Sequence, residues 1–245
     1  MKILLQIAYL GREFHGWQVQ PGCRTVQGVL QQTYDSLCGM PCAITGCSRT
    51  DAGVHARQFF CTAETAESPS IPPERLPYAL NRELPPDLAV HSARAVEDSF
   101  HPRYSAQGKE YEYLIRNTPQ RDPFFEGFAW HYPRPLALSA MQKGADLLVG
   151  RHDFSSFCAA AADVQDKVRT VKYCRLEREG DTVKIRVAAD VFLYNMVRIL
   201  VGTLVEIAEG KYSPEDVEAI LAAKDRNCAG RTAPGEGLYL NRVFY

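Results

Sequence analysis

The segment GCSRTDAGVHAR, residues 46–57, places a single carboxylate among side chains that suit either a turn or a reaction. Asp51 follows Arg49 and Thr50, and Gly53 and His55 come within the next four residues. Asp-Ala-Gly is a common turn sequence, because aspartate can bond its own backbone and glycine accepts a positive φ. A carboxylate can also act as nucleophile or base. The residues alone leave both interpretations open, and His55 is expected to be a structural hydrogen-bonding side chain.

Arg198 is a cation in the apolar stretch YNMVRILVGTLVEI. A guanidinium buried in such a helix is unfavourable unless it meets a carboxylate or reaches water along its own stem. The nearest acids of the same segment, Asp190 and Glu206, are eight residues away in either direction. An ion-pair partner is therefore expected from elsewhere in the fold, and Asp51 is a candidate. Extension to solvent is the alternative.

Tyr111 lies in KEYEYLIR, which alternates as a strand. Alternation places Tyr111, Tyr113 and Ile115 on one face. An aromatic face of this kind is either part of a core or a platform for stacking on nucleic-acid bases, every one of which offers a π-face.

Composition excludes several classes of protein. No apolar run reaches the roughly 18 residues of a membrane helix, and neither GxxxxGK nor GxGxxG occurs, so we expect no membrane association and no nucleotide cofactor. Gln6 interrupts the apolar N-terminus, which is interpreted as a strand and not as a secretory signal. The eight cysteines are scattered, with no CxxC pair. Reduced thiols, a cytoplasmic location and no metal site are expected.

The charged residues are balanced in number but biased in type. The net charge of −1 does not indicate a nucleic-acid partner, yet twenty arginines stand against eight lysines. The planar guanidinium can hold a phosphate through two hydrogen bonds and can stack on a base. Compositional bias is the alternative explanation.

The elements that must position these residues form two similar series. Thr25 is the expected N-cap of the first helix. Polar HPRYSAQGK, residues 101–109, separates the series and predicts domains 1–103 and 104–245. The order predicts two α+β, ferredoxin-like or RRM-like halves with antiparallel or mixed sheets and helices on one face. Predicted strands cover 2–9, 42–47, 58–62, 88–95, 111–116, 171–177, 182–188 and 238–244, and predicted helices cover 25–38, 72–80, 139–149, 191–209 and a short segment from Ser213.

Several motifs together resemble those of the tRNA pseudouridine synthase A family. They run in the family's order over nearly the whole chain, from Tyr9 to about Leu240. Cys47 and Ser48 depart from the usual Ala and Gly, and residues 158–163 fall in a region expected to vary. The motifs are FHGWQVQP with TVQG, GCSRTDAGVHA, FHPRYSAQGKEYEY, HDFSSF, FLYNMVRILVG, LLAAKDR and APGEGLYL.

The resemblance implies an enzyme that isomerises uridine to pseudouridine at positions 38, 39 and 40 of the tRNA anticodon stem-loop, without cofactor or metal. It implies two halves around a central cleft and a homodimer. Asp51 aligns with the catalytic aspartate, Tyr111 with the tyrosine that packs on the target base, and Arg198 with the basic partner of the aspartate. We expect Arg198 to hold Asp51 in its charged form. Expected contacts with RNA are Arg49, Thr50, Arg57 and Arg24, with Arg12 and Arg103 as further phosphate contacts.

Two other classes of protein remain as hypotheses. A non-catalytic tRNA-binding protein would have no need of a carboxylate facing anionic RNA. A hydrolase or phosphotransferase with an aspartate nucleophile would need a metal site or a phosphate loop, and the sequence predicts neither.

Overall fold

The computed structural model describes residues 1–67, 70–160 and 164–245. Residues 161–163, part of the segment expected to vary, lie outside the described residues. The chain forms two compact units, which we call unit 1 (residues 1–107 and 239–245) and unit 2 (residues 108–238). No described helix has both the length and the apolar character needed to cross a membrane.

Strands and helices follow one another in nearly the predicted order. The strands are β1 (Lys2–Tyr9), β2 (Ala43–Gly46), β3 (His55–Glu64), β4 (Leu88–Val96), β5 (Gly108–Arg116), β6 (Trp130–His131), β7 (Gly150–Asp153), β8 (Val168–Glu179), β9 (Thr182–Ala189) and β10 (Leu238–Phe244). The helices are α1 (Val26–Cys38), α2 (Leu76–Glu83), α3 (Leu138–Asp146), α4 (Met196–Ala208) and α5 (Asp216–Ala223). The predicted α+β class is confirmed.

Unit 1 contains a sheet with the strand order β4-β1-β3-β10, and β2 also pairs with β3. Its pairs are antiparallel except that of β10, where Tyr239 lies parallel to His55. Tyr9 of β1 pairs with Ala56 on the other side. The first residues of β3 are therefore held from both edges, directly after the loop that carries Asp51.

Helix α1 shows why the sequence predicted its bounds well. The Thr25 side chain accepts a hydrogen bond from the Gly28 N–H at 3.3 Å, as an N-cap does. Leu30 and Tyr34 are fully buried one turn apart, and Gly39 ends the helix with a φ of 68°.

The strands of unit 2 have the order β5-β9-β8-β7, with β6 parallel to the end of β5. Both parallel and antiparallel pairs thus occur in this unit as well. On one face of β5 the buried Glu112 accepts a hydrogen bond from Arg186 at 2.8 Å. The pair satisfies a carboxylate that would be costly to bury alone.

The prediction for the helix that carries Arg198 was wrong at its start. We expected a helix over 191–209, but α4 begins at Met196. Asn195, with a φ of 58°, lies in the left-handed region, which interrupts right-handed helical geometry. Arg198 therefore lies in the first turn of α4 and not in the middle of a longer helix.

The last strand differs from the predicted domain division in where it packs. The prediction assigned all of 104–245 to the second domain, whereas residues 239–245 belong to unit 1. The reason is the parallel pairing of Tyr239 and Leu240 with the start of β3. All eight cysteines are free thiols, six of them buried.

Candidate active site

Asp51 lies in a turn between β2 and β3. The N–H of Val54 donates to the Asp51 carbonyl at 3.2 Å, and Gly53 has a φ of 77°. This is the tight turn that Asp-Ala-Gly predicts. The Asp51 side chain is half-buried within it.

The turn is fixed by hydrogen bonds from a second loop, residues 11–17. The N–H of Trp17 donates to the Thr50 carbonyl at 3.1 Å, directly before Asp51. The N–H of Gly53, two residues after Asp51 and within the turn, donates to the Phe14 carbonyl at 3.3 Å. Main-chain bonds on both sides of Asp51 therefore set the position of its Cα.

Two glycines allow this second loop to approach so closely. A Cβ on Gly16 would lie 2.5 Å from the Thr50 carbonyl oxygen, and a Cβ on Gly11 would lie 2.0 Å from that of Val54. Gly16 also has a φ of 82°, which other residues rarely adopt. Only glycine fits either position without moving the Asp51 turn.

His55 and Thr50 both have structural partners within unit 1. The His55 ring is fully buried, accepts a hydrogen bond at Nδ1 from the Gly11 N–H at 2.9 Å, and stacks on Tyr239 with centroids 4.5 Å apart. The structural prediction for His55 is confirmed. The hydroxyl of the buried Thr50 forms a 2.8 Å hydrogen bond with that of Tyr9. Thr50, expected to contact substrate, thus has its side chain directed into the unit.

Arg198 is held by two neutral oxygen atoms of unit 2. Its Nε donates to the Ala233 carbonyl at 2.7 Å, and its Nη1 donates to Asn195 Oδ1 at 2.9 Å. The Ala233 N–H in turn donates to the Arg198 carbonyl at 3.0 Å. We call residues 229–234, which lie along α4, the strap.

The strap lies in close contact with the helix. A Cβ on Gly202 would lie only 1.8 Å from the Arg231 carbonyl oxygen. The N–H of Gly230 donates to Thr203 Oγ1 at 3.0 Å, and the Arg231 guanidinium pairs with the buried Glu206 at 3.2 Å. The carbonyl that orients Arg198 is therefore fixed to the same helix that carries Arg198.

Tyr111 is a buried residue of β5 and lies opposite Val187 on β9. Phe192 contacts its ring edge-on, with centroids 5.0 Å apart. Its neighbour Tyr113 donates a hydrogen bond to the Pro234 carbonyl at 2.7 Å, and burial raises the pKa of Tyr113 well above its usual value. The two tyrosines share a face, as alternation predicted, and Tyr113 connects that face to the strap.

Arg24, expected to contact phosphate, is engaged in an ion pair. Both of its terminal nitrogens donate to the Asp87 carboxylate at 2.8 Å, and its guanidinium lies over the Phe14 ring, 4.0 Å from the centroid. The hydrogen bond to Asp87 raises the pKa of Arg24. A phosphate would have to compete with this bidentate pair.

The other predicted arginines are exposed to solvent, as Arg24 is. Arg57 is exposed, with its guanidinium 4.6 Å from the centroid of Tyr239 and a 3.2 Å hydrogen bond to Asn241. Arg49, Arg12 and Arg103 are also exposed.

The structure thus brings together Asp51, Arg49 and Thr50 in unit 1. Arg198 lies in unit 2, where it makes contacts that the sequence did not reveal. Asn195 and the strap, which contact Arg198, were not predicted from the sequence. Their signals were an asparagine three residues before the arginine in NMVR, and the small residues of the strap sequence AGRTAP. Among the residues described, no group of three or more His, Cys, Asp or Glu side chains is arranged to hold a metal ion.

Comparison with known proteins defines the class. A family model described as tRNA pseudouridine synthase matches residues 6–105 and 145–245. A solved chain from a Cbf5–Nop10–Gar1 complex aligns with 82% of this chain and 53% of its own at 13% identity, but its TM-score of 0.37 is too low to support a statement about the fold.

Similar proteins named tRNA pseudouridine synthase A occur in several bacteria. The one from Halalkalibacterium halodurans is 49% identical, with 98% of this chain and 91% of that protein covered. The one from Bacillus subtilis is 45% identical, with 100% and 99% covered. The class is therefore that of RNA-modifying isomerases. The chain belongs to the tRNA pseudouridine synthase family, and it isomerises uridine in tRNA.

The contact between Gly16 and the Asp51 turn gives a first prediction. Gly16→Ala should lower the rate of pseudouridine formation about tenfold or more, because the Thr50 carbonyl must move and carry Asp51 with it. Gly22→Ala is the matched control, since Gly22 has a φ of 72° but nothing within 4 Å of a Cβ. Rates measured on tRNA transcripts test this, and equal rates for the two variants would contradict it.

Proposed function

We propose that the protein converts uridine to pseudouridine at positions 38, 39 and 40 of the tRNA anticodon stem-loop, with Asp51 as the reacting carboxylate. The names and near full-length coverage of its relatives support the tRNA substrate. The observation that carries the role of Asp51 is its turn, which main-chain bonds fix on both sides. A reacting group held at a defined position suits catalysis, since small displacements are costly in rate.

The reaction is a rearrangement with no net oxidation and no co-substrate. The bond from N1 of uracil to C1′ of ribose breaks, the base turns, and C5 bonds to the same C1′. A proton leaves C5 and N1 gains one. The Asp51 carboxylate acts by one of three routes: attack on the ribose, addition to the base, or removal of the 2′ hydrogen. Neither a metal nor a cofactor is needed for any of them.

Arg198 is proposed as the ion-pair partner that orients Asp51. Its contacts with Ala233 and Asn195 involve two different nitrogens, so they fix the plane of the guanidinium. A fixed plane is what a guanidinium needs to direct the two oxygens of a carboxylate, because its N–H groups form a rigid fork. The acceptors of these two contacts are neutral, so neither of them compensates the positive charge of the side chain.

Tyr111 is proposed to stack on the target uracil. To reach a half-buried carboxylate, the nucleotide must leave its helical stack, at a cost of a few kcal/mol. Stacking on an aromatic ring offsets part of that cost. The edge-on contact with Phe192 supports this role because it fixes the plane of the Tyr111 ring.

The RNA backbone is proposed to meet exposed arginines. Arg49 and Arg57 are better placed for this than Arg24, which Asp87 engages, and Thr50 acts on the substrate by holding the turn. A homodimer, as the resemblance implies, would join two such surfaces, and the cysteine pattern favours a cytoplasmic location for it. Joining them would allow an acid-balanced chain to bind an anionic substrate.

The need for Asp51 gives a second prediction. Wild-type protein should release tritium from C5 of uridine at positions 38 to 40 of an unmodified tRNA transcript, and Asp51→Asn should lower that rate about 10²-fold or more. Asn keeps the shape of the side chain, so tRNA binding serves as the control. Tight binding without release by the wild type would favour a non-catalytic tRNA-binding protein.

Removing the guanidinium gives a third prediction. Arg198→Met should lower the rate about 10²-fold and leave the thermal unfolding midpoint close to that of the wild type, since Met fills similar space among apolar neighbours. Tritium release and thermal unfolding are measured on the same preparation. Normal turnover would disprove the pairing with Asp51.

A fourth prediction separates the ring of Tyr111 from its hydroxyl. Tyr111→Phe should keep much more activity than Tyr111→Ala, because loss of stacking costs about 1–3 kcal/mol, roughly fivefold to 150-fold in rate. Both variants are compared under single-turnover conditions. Equal losses would show that the hydroxyl is the group that matters.

A further inference from the structure

Asn195 has an unusual backbone conformation. Its φ of 58° and ψ of 9° lie in the left-handed region, and among the described residues only Lys224 shares a positive φ without being glycine. Asparagine tolerates this region better than most residues, but glycine tolerates it best. An asparagine at a position that glycine would fit better indicates a role for the asparagine side chain.

The side chain of Asn195 does not perform the usual task of its position. Asparagine at a helix N-cap commonly accepts a hydrogen bond from the second or third N–H of the helix. Asn195 is the N-cap of α4 and makes no such bond. Its Oδ1 accepts instead from Nη1 of Arg198 at 2.9 Å. The left-handed backbone of Asn195 places its Oδ1 next to the first turn of α4, which contains Arg198.

The second contact of the guanidinium complements the first. Nε donates to the Ala233 carbonyl at 2.7 Å, and that carbonyl belongs to the strap, which Thr203 and Glu206 hold against α4. Because Nε and Nη1 are separate donors of one planar group, the strap and Asn195 together set both its position and its rotation. Loss of either contact removes one of these constraints on the guanidinium.

We propose that Asn195 is a positioning residue for the isomerisation and acts through Arg198. This rests on the role proposed above for Arg198. A guanidinium that has lost the Asn195 acceptor keeps its charge but is oriented less firmly. The chemical step should therefore slow down, while the affinity for tRNA, which depends on charge and surface, stays nearly the same.

The substitution Asn195→Gly isolates the side-chain oxygen. Glycine adopts the left-handed conformation with less strain, so the turn before α4 is kept. Lys224→Gly is the matched control, since it removes the side chain of the other left-handed residue of unit 2, whose ammonium pairs with Asp153. Single-turnover tritium release, tRNA dissociation constants and unfolding midpoints are measured for both variants.

We expect Asn195→Gly to lower the single-turnover rate about tenfold or more. The tRNA dissociation constant should change less than about twofold, and the unfolding midpoint should drop no further than that of Lys224→Gly. In an Arg198→Lys background, which lacks Nη1, Asn195→Gly should change the rate less than about twofold, as expected for residues that act as one unit.

Three results would overturn the inference. They are a wild-type rate in Asn195→Gly, an equal loss in the Arg198→Lys background, or a fall in rate matched by a loss of stability larger than that of the control. If Arg198→Met is slow while Asn195→Gly is normal, only this inference fails. If Arg198→Met itself turns over normally, the role proposed for Arg198 fails and this inference fails with it.

Discussion

Some segments of the main chain lie so close together that only glycine fits between them. The positions of Asp51 in unit 1 and of Arg198 in unit 2 both depend on such contacts. Gly11 and Gly16 bring one loop against the Asp51 turn, at distances that any Cβ would violate. In unit 2, Gly202 brings the strap against α4, and the strap carries the carbonyl that binds Arg198. Asp51 and Arg198 thus each lie in a segment of backbone against which a second segment of backbone packs closely.

Contacts made by the main chain hold a group in position more precisely than contacts made by side chains. Backbone N–H and carbonyl groups have no side-chain torsions, so their positions follow from the fold itself, whereas a side-chain support must first adopt a rotamer. The Asp51 turn receives two of these bonds and the Arg198 guanidinium one. Asn195 is a side-chain support of the guanidinium, and its backbone is itself confined to the left-handed region.

The sequence predicted what local pattern and chemistry determine. The first and last strands and the capped helix α1 were found at nearly their observed bounds, because alternation and an N-cap are local signals. The predicted start of α4 was wrong because the apolar periodicity of the sequence continues through Asn195, whereas the right-handed helical backbone begins only after it. The two-residue strand β6 was too short to give a pattern. The glycine contacts and the pairing of Arg24 with Asp87, 63 residues apart, depend on tertiary structure and leave no periodic signal.

The arginine excess is partly explained by internal ion pairs. Arg24 binds Asp87, Arg186 binds Glu112, and Arg231 binds Glu206, in each case with a partner distant in sequence. Planar, bidentate recognition of carboxylates favours arginine over lysine in such places for the same reason that it favours arginine against phosphate. Overall composition therefore cannot separate the two uses. Exposure does not separate them either, since Arg24 and Arg231 are exposed and yet pair with carboxylates. The RNA-binding argument therefore rests on the contacts of individual arginines and not on the count of twenty.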